Sequence, residues 1–149
     1  MTEQFFPAAK GSYLLWLYLR RGHEIEIGKL GPHCFSRGWY FYCGSAFGPG
    51  GLQARLNHHL NVSPRTHWHI DYLKVRAEIR SVWLCRGVNL EHDWSRMLLT
   101  LPGALAPVPG FGSSDCNCLS HLVYLRKRPA IKVMRDCLVG DSCIESFCL

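Results

Sequence analysis

The stretch YFYCGSAFGPGGLQARLNHHL (40–60) groups phenols, a glycine stop, an arginine and two histidines. On a strand, Tyr40, Tyr42 and Gly44 share one face, because side chains alternate across a strand. A glycine after Tyr42 clears room beside its phenol for a ligand or another backbone. Arg55 and His59 stand one helical turn apart, in a polar row beside Leu52, Leu56 and Leu60. A guanidinium suits phosphate, since its planar fork donates two parallel hydrogen bonds and keeps its charge. The same residues also read as core aromatics and a solvated helix arginine, and by themselves they do not choose.

Two further groups invite chemistry. His67 and His69, at i and i+2, imitate a metal pair; equally, His69 or Asp71 could anchor a loop by capping a short helix. Cys116-X-Cys118-X-X-His121 imitates part of a zinc site, but no fourth ligand stands out, so zinc is not expected there. A zinc deaminase is excluded, because no His-X-Glu is partnered by a Cys-X-X-Cys.

The elements that must position these groups follow from periodicity. GSYLLWLYL (11–19) reads as a strand buried on both faces, with Tyr13 on the side of Leu15 and Leu17. HEIEIGKLG (23–31) alternates like a half-exposed strand, and GWYFYCG (38–44) is a third; short connections suggest an antiparallel meander. A helix is expected over 51–60, then a proline-containing loop from 61 and a short helix near Ile70. A strand is expected over 78–85, a helix over 90–101, a long Gly/Pro loop from 102, and a strand over 119–125. The class is α+β: a small, mainly antiparallel sheet flanked by helices, in one domain over 1–126. Residues 127–149 read as a basic, cysteine-containing tail.

Bulk properties agree with a globular domain of 149 residues, 48% hydrophobic and 19% charged. Lys and Arg outnumber Asp and Glu by 17 to 11, and the formal charge of +6 favours polyanions without proving them partners. No apolar run is long enough to span a bilayer and no export signal is evident. The expectation is a cytoplasmic protein, without membrane attachment, whose eight cysteines are reduced thiols.

GSY (11–13) and YCG (42–44), followed by GSAFGPGGLQARLNHHL, resemble the GIY-YIG nuclease superfamily. IGKLG, FYCGSAFGPGGLQARLNHHL, HWHIDYL and PGFGSSDCNCLSHLVYL together resemble its subfamily labelled domain of unknown function 123, across about residues 10 to 126. The resemblance implies a GIY-YIG-like fold and a metal-dependent DNA endonuclease, with RNA also open as a substrate. It implies catalytic roles for Tyr13, Tyr42, Arg55 and His59, support from Gly11 and Gly44, and a phosphate or leaving-group contact from His67 or His69. It also implies an acidic ligand on a later helix for Mg²⁺ or Mn²⁺, a place that Glu91 fills by order. An acid there equally favours a helix N-terminus on its own account. The rivals are a module of this fold that binds nucleic acid without cleaving it, and a structural protein whose tyrosines are only core.

Overall fold

The computed structural model describes residues 5–61, 66–114, 116–138 and 143–149. Most of the expected proline-containing loop (62–65), one residue of the long loop (115) and part of the tail (139–142) lie outside the described residues.

Five strands form one antiparallel sheet in the order β6-β4-β1-β5-β7. They are β1 (Gly11–Leu19), β4 (Gly38–Ala46), β5 (Glu78–Arg86), β6 (Leu122–Leu125) and β7 (Glu145–Cys148). A separate hairpin joins β2 (His23–Glu26) to β3 (Pro32–Phe35), with a single 3-10 turn at Gly28–Leu30 between them. The helices are α1 (Gly51–Leu60), α2 (His69–Leu73), α3 (Glu91–Leu98) and α4 (Ile131–Cys137). The fold is a small α+β domain, as its periodicities indicate.

β1 lies at the centre, which explains its unbroken apolar sequence. Tyr13, Leu15 and Leu17 pack with Leu52 and Leu56 of α1 and with Ile70 and Leu73 of α2. Leu14 and Trp16 point to the other face, against Trp94 and Leu98 of α3 and Met134 of α4. Burying each of these side chains contributes about 1.5–3 kcal/mol before entropy is counted.

The expected meander is corrected. β2 does not join the main sheet, so β1 pairs directly with β4, and Tyr13 stands opposite Gly44. The alternating polar residues of 23–26 fit an outlying hairpin with one inward side chain, Ile25, better than they fit an inner strand. Other boundaries are shorter than periodicity suggests: the third helix covers 91–98 and the strand near 119 begins at 122. The C-terminal residues contribute α4 and β7, and β7 pairs with β5 at the edge of the sheet.

The expectation of eight reduced thiols is also corrected. Cys85 and Cys143 form a disulfide, with Cα atoms 5.2 Å apart and 58 positions of sequence between them. The pairing of β7 on β5 creates that proximity, and no local spacing announces it. The other six cysteines are free. No described helix is long and apolar enough to cross a membrane.

Two outcomes follow. A Cβ on Gly44 would run into the ring of Tyr13, which is fully buried and cannot swing aside. Gly44→Ala therefore destabilises by about 1–3 kcal/mol, the usual cost of overpacking; an unchanged urea midpoint would contradict that account. Opening the Cys85–Cys143 link frees a 58-residue loop in the unfolded chain, worth about 4 kcal/mol in the chain-entropy description. Cys143→Ser is expected to lower the midpoint and to abolish its response to a phosphine reductant.

Candidate functional site

A cavity opens where β6 stops. β6 accompanies β4 as far as the Tyr42–Leu122 pair, and the Cys43 N–H donates one more bond to the His121 carbonyl. Beyond that point, Gly44 and Ser45 belong to strand pairs only with β1 among the described residues. The gap beside them holds a cavity of about 290 Å³. Tyr42 and Gly44 line it from one face of β4 with Arg55 of α1; Ser45 lines it with Glu91 and His92 of α3. Trp68, Gly112, Cys116 and His121 close it from the loops.

Helices α1 and α3 pack on opposite faces of the sheet, yet Arg55 and Glu91 meet in this cavity. The uncovered edge of β4 is what lets them meet. Gly44 presents no side chain to the α1 face, so the Tyr13 ring lies directly over it. Ser45, next along the strand, faces the other way and hydrogen-bonds Glu91.

The Tyr13 hydroxyl and His59 Nε2 share a hydrogen bond of 2.7 Å, both groups being buried. Burial, and then the nearby Lys74 ammonium, depress His59 to about 3, so its imidazole is neutral. Its Nδ1 has no hydrogen-bond partner among the described residues. Burial also raises the phenols of Tyr13 and Tyr42 well above the usual tyrosine value. Arg55 acts in the opposite direction on both and is outweighed. Both phenols are therefore protonated at neutral pH.

Arg55 stacks its guanidinium 4.2 Å from the Trp68 ring centroid, which holds the fork without consuming its N–H donors on a carboxylate. Glu91 faces two influences. Burial disfavours its charge, but contacts from His121 and Ser45 prevail and hold the carboxyl below its ordinary range. His121 Nδ1 lies 2.9 Å from Glu91 Oε1, a close charge contact rather than an aligned hydrogen bond.

His67 and His69 do not line the cavity. His67 is exposed, with its ring against Trp68. His69 accepts a hydrogen bond at Nδ1 from the Gly112 N–H at 2.8 Å, tying α2 to the long loop. Asp71 is the cap, accepting the N–H groups of His67 at 2.7 Å and Trp68 at 2.9 Å. Gly11 is a packing glycine, since a Cβ there would strike the Cys85 carbonyl.

Sequence reasoning missed Trp68, Ser45 and His92. His92 matters most, because it supplies the ligand that Cys116, Cys118 and His121 lacked. One ligand atom from each of these four residues lies within 4.8 Å of the others, so the group could hold a metal ion. Its signal was a histidine beside Glu91 in the first turn of α3. Burial opposes a thiolate at Cys118, but hydrogen bonds from His121 and His92 outweigh it and bring the thiol to about 7.

No curated protein and no solved structure matches the chain. A family model described as "Domain of unknown function DUF123" matches residues 12–140, which include both sides of the cavity and all four residues of the His/Cys group. The chain belongs to this DUF123 family.

Proposed function

We propose that the cavity is a phosphodiester site of the GIY-YIG type and that the protein is a metal-dependent DNA endonuclease. The observation that supports this reading is the meeting of Tyr42, Arg55 and Glu91, from three different elements, in one cavity with Tyr13 behind Gly44. The formal charge of +6 suits a polyanionic substrate.

Arg55, braced on Trp68, binds two oxygens of the scissile phosphate and stabilises the charge that grows there. Tyr42 keeps its proton and donates a hydrogen bond to a phosphoryl oxygen, a role that its raised pKa favours. Tyr13 orients the attacking water and accepts its proton while passing its own to His59 Nε2, in the tautomer with the proton on Nδ1. The bond from phosphorus to the leaving strand's oxygen breaks, and that oxygen takes its proton from solvent. Burial makes His59 a reluctant acceptor; the arriving phosphate anion raises its basicity and offsets that. Glu91, ionised and opening on the cavity, fits a hard cation such as Mg²⁺ or Mn²⁺, which takes a carboxylate oxygen and keeps most of its waters. Bound there, the ion would polarise the phosphate.

One observation favours the second reading, a module that binds nucleic acid without cleaving it. Glu91 already serves His121 and Ser45, which leaves fewer lone pairs for a cation. Salt-dependent DNA binding without turnover would select that reading.

The test is a panel of labelled DNA structures incubated with Mg²⁺, Mn²⁺ or chelator. Wild type is expected to cleave one of them with the ion alone. Arg55→Ala is expected to lose about a hundred- to a thousandfold in rate and about 0.5–1 kcal/mol of stability with the Trp68 contact. Arg55→Lys rescues little, because a point charge does not reproduce the fork. Full cleavage by Arg55→Ala would remove the site as drawn.

A further inference from the structure

We propose that His92, Cys116, Cys118 and His121 form a tetrahedral Cys₂His₂ site for zinc, separate from any hard cation at Glu91. His92 Nδ1 lies 3.2 Å from Cys118 Sγ, and His121 Nε2 lies 3.5 Å from Cys116 Sγ. Zinc bonds of the usual length place neighbouring N and S ligands roughly 3.4–3.8 Å apart at the corners of a tetrahedron. The four atoms, all within 4.8 Å of one another, are already gathered at nearly that scale. Two thiolates and two imidazoles select a borderline-soft ion such as zinc over magnesium, which demands oxygen.

The surroundings fit as well as the donors. His121 is buried, and it turns Nδ1 toward Glu91 while Nε2 faces the cysteines. A carboxylate behind a ligating histidine fixes its tautomer and raises its basicity. His92 comes from the first turn of α3 and the other three ligands from the loop before β6. A bound ion would therefore tie that loop to α3 across the edge of β4. Binding releases the two thiol protons to solvent. None of this requires the neighbouring cavity to cleave anything.

The experiment uses the full chain, purified anaerobically without added metal. Elemental analysis is expected to find one zinc per chain. After chelation, Co²⁺ is expected to give the intense visible absorption of a tetrahedral thiolate site, which added zinc then removes. The Cys116→Ser, Cys118→Ser double variant is expected to lose both signals. Glu91→Gln keeps the ligands and is expected to weaken zinc about 10–100-fold, as outer-sphere changes do. The cobalt spectrum of the wild-type chain needs no variant to fold, so a misfolded variant leaves the test standing. A reduced wild-type chain that binds neither ion, a weak octahedral cobalt spectrum, or zinc retained by the double variant would each overturn the proposal. So would a Cys116–Cys118 disulfide in place of the metal.

Discussion

The approach of the Tyr13 ring to the backbone of Gly44 is the constraint on which this molecule turns. The two residues stand opposite each other on the paired central strands, and a side chain at 44 would occupy the space of the phenol. That single missing Cβ does two things. It lets a fully buried tyrosine place its hydroxyl beside His59, and it brings bare backbone to the wall of a polar cavity. The register of β1 on β4 and the geometry of the site are thus one fact.

The second requirement is an incomplete edge. A sixth strand running the full length of β4 would seal the cavity and keep the two faces of the sheet apart. β6 instead leaves β4 after Tyr42, and the long Gly/Pro loop fills the neighbouring space with Gly112, Cys116 and His121. The loop is anchored by backbone as well as side chains: the Gly112 N–H reaches His69, and the His121 N–H reaches the Phe111 carbonyl. Gly112 has φ +69°, and a Cβ there would press on the Tyr42 ring at 3.0 Å, so this turn also depends on a glycine.

Local periodicity made the strands and helices legible, because β1 is apolar on both faces and α1 carries one clean leucine row. It could not reveal which strands were neighbours. Residues 23–31 look like a strand of the main sheet in sequence, yet residues 23–35 form a hairpin of their own, and the two tyrosine strands meet directly across that insertion. The same limit hid the Cys85–Cys143 bridge and His92, whose partners are distant in sequence and near only after folding. Trp68 was invisible for another reason: a tryptophan beside a short helix reads as core until a guanidinium is found stacked on it. The raised phenols were equally out of reach, because sequence reveals the nearby arginine but not the depth of burial that outweighs it.

Glu91 links the cavity to the His/Cys group at this edge. Its carboxylate is presented to the cavity on one side and to His121 on the other, with Ser45 holding it between. A soft ion on the His/Cys group would fix His121, and His121 would in turn fix the carboxylate, reducing the freedom lost when a cation or phosphate arrives. The same arrangement also limits Glu91, since an oxygen committed to an imidazolium is a weaker ligand for a second cation. Which effect prevails depends on the protonation of His121. Metal on Nε2 leaves Nδ1 as a neutral donor and frees negative charge on the carboxylate, whereas an unmetallated His121 is drawn toward the charged form by Glu91 and Cys118 after burial has opposed it. Filling the Cys₂His₂ group would therefore raise the anionic character of Glu91 toward the cavity.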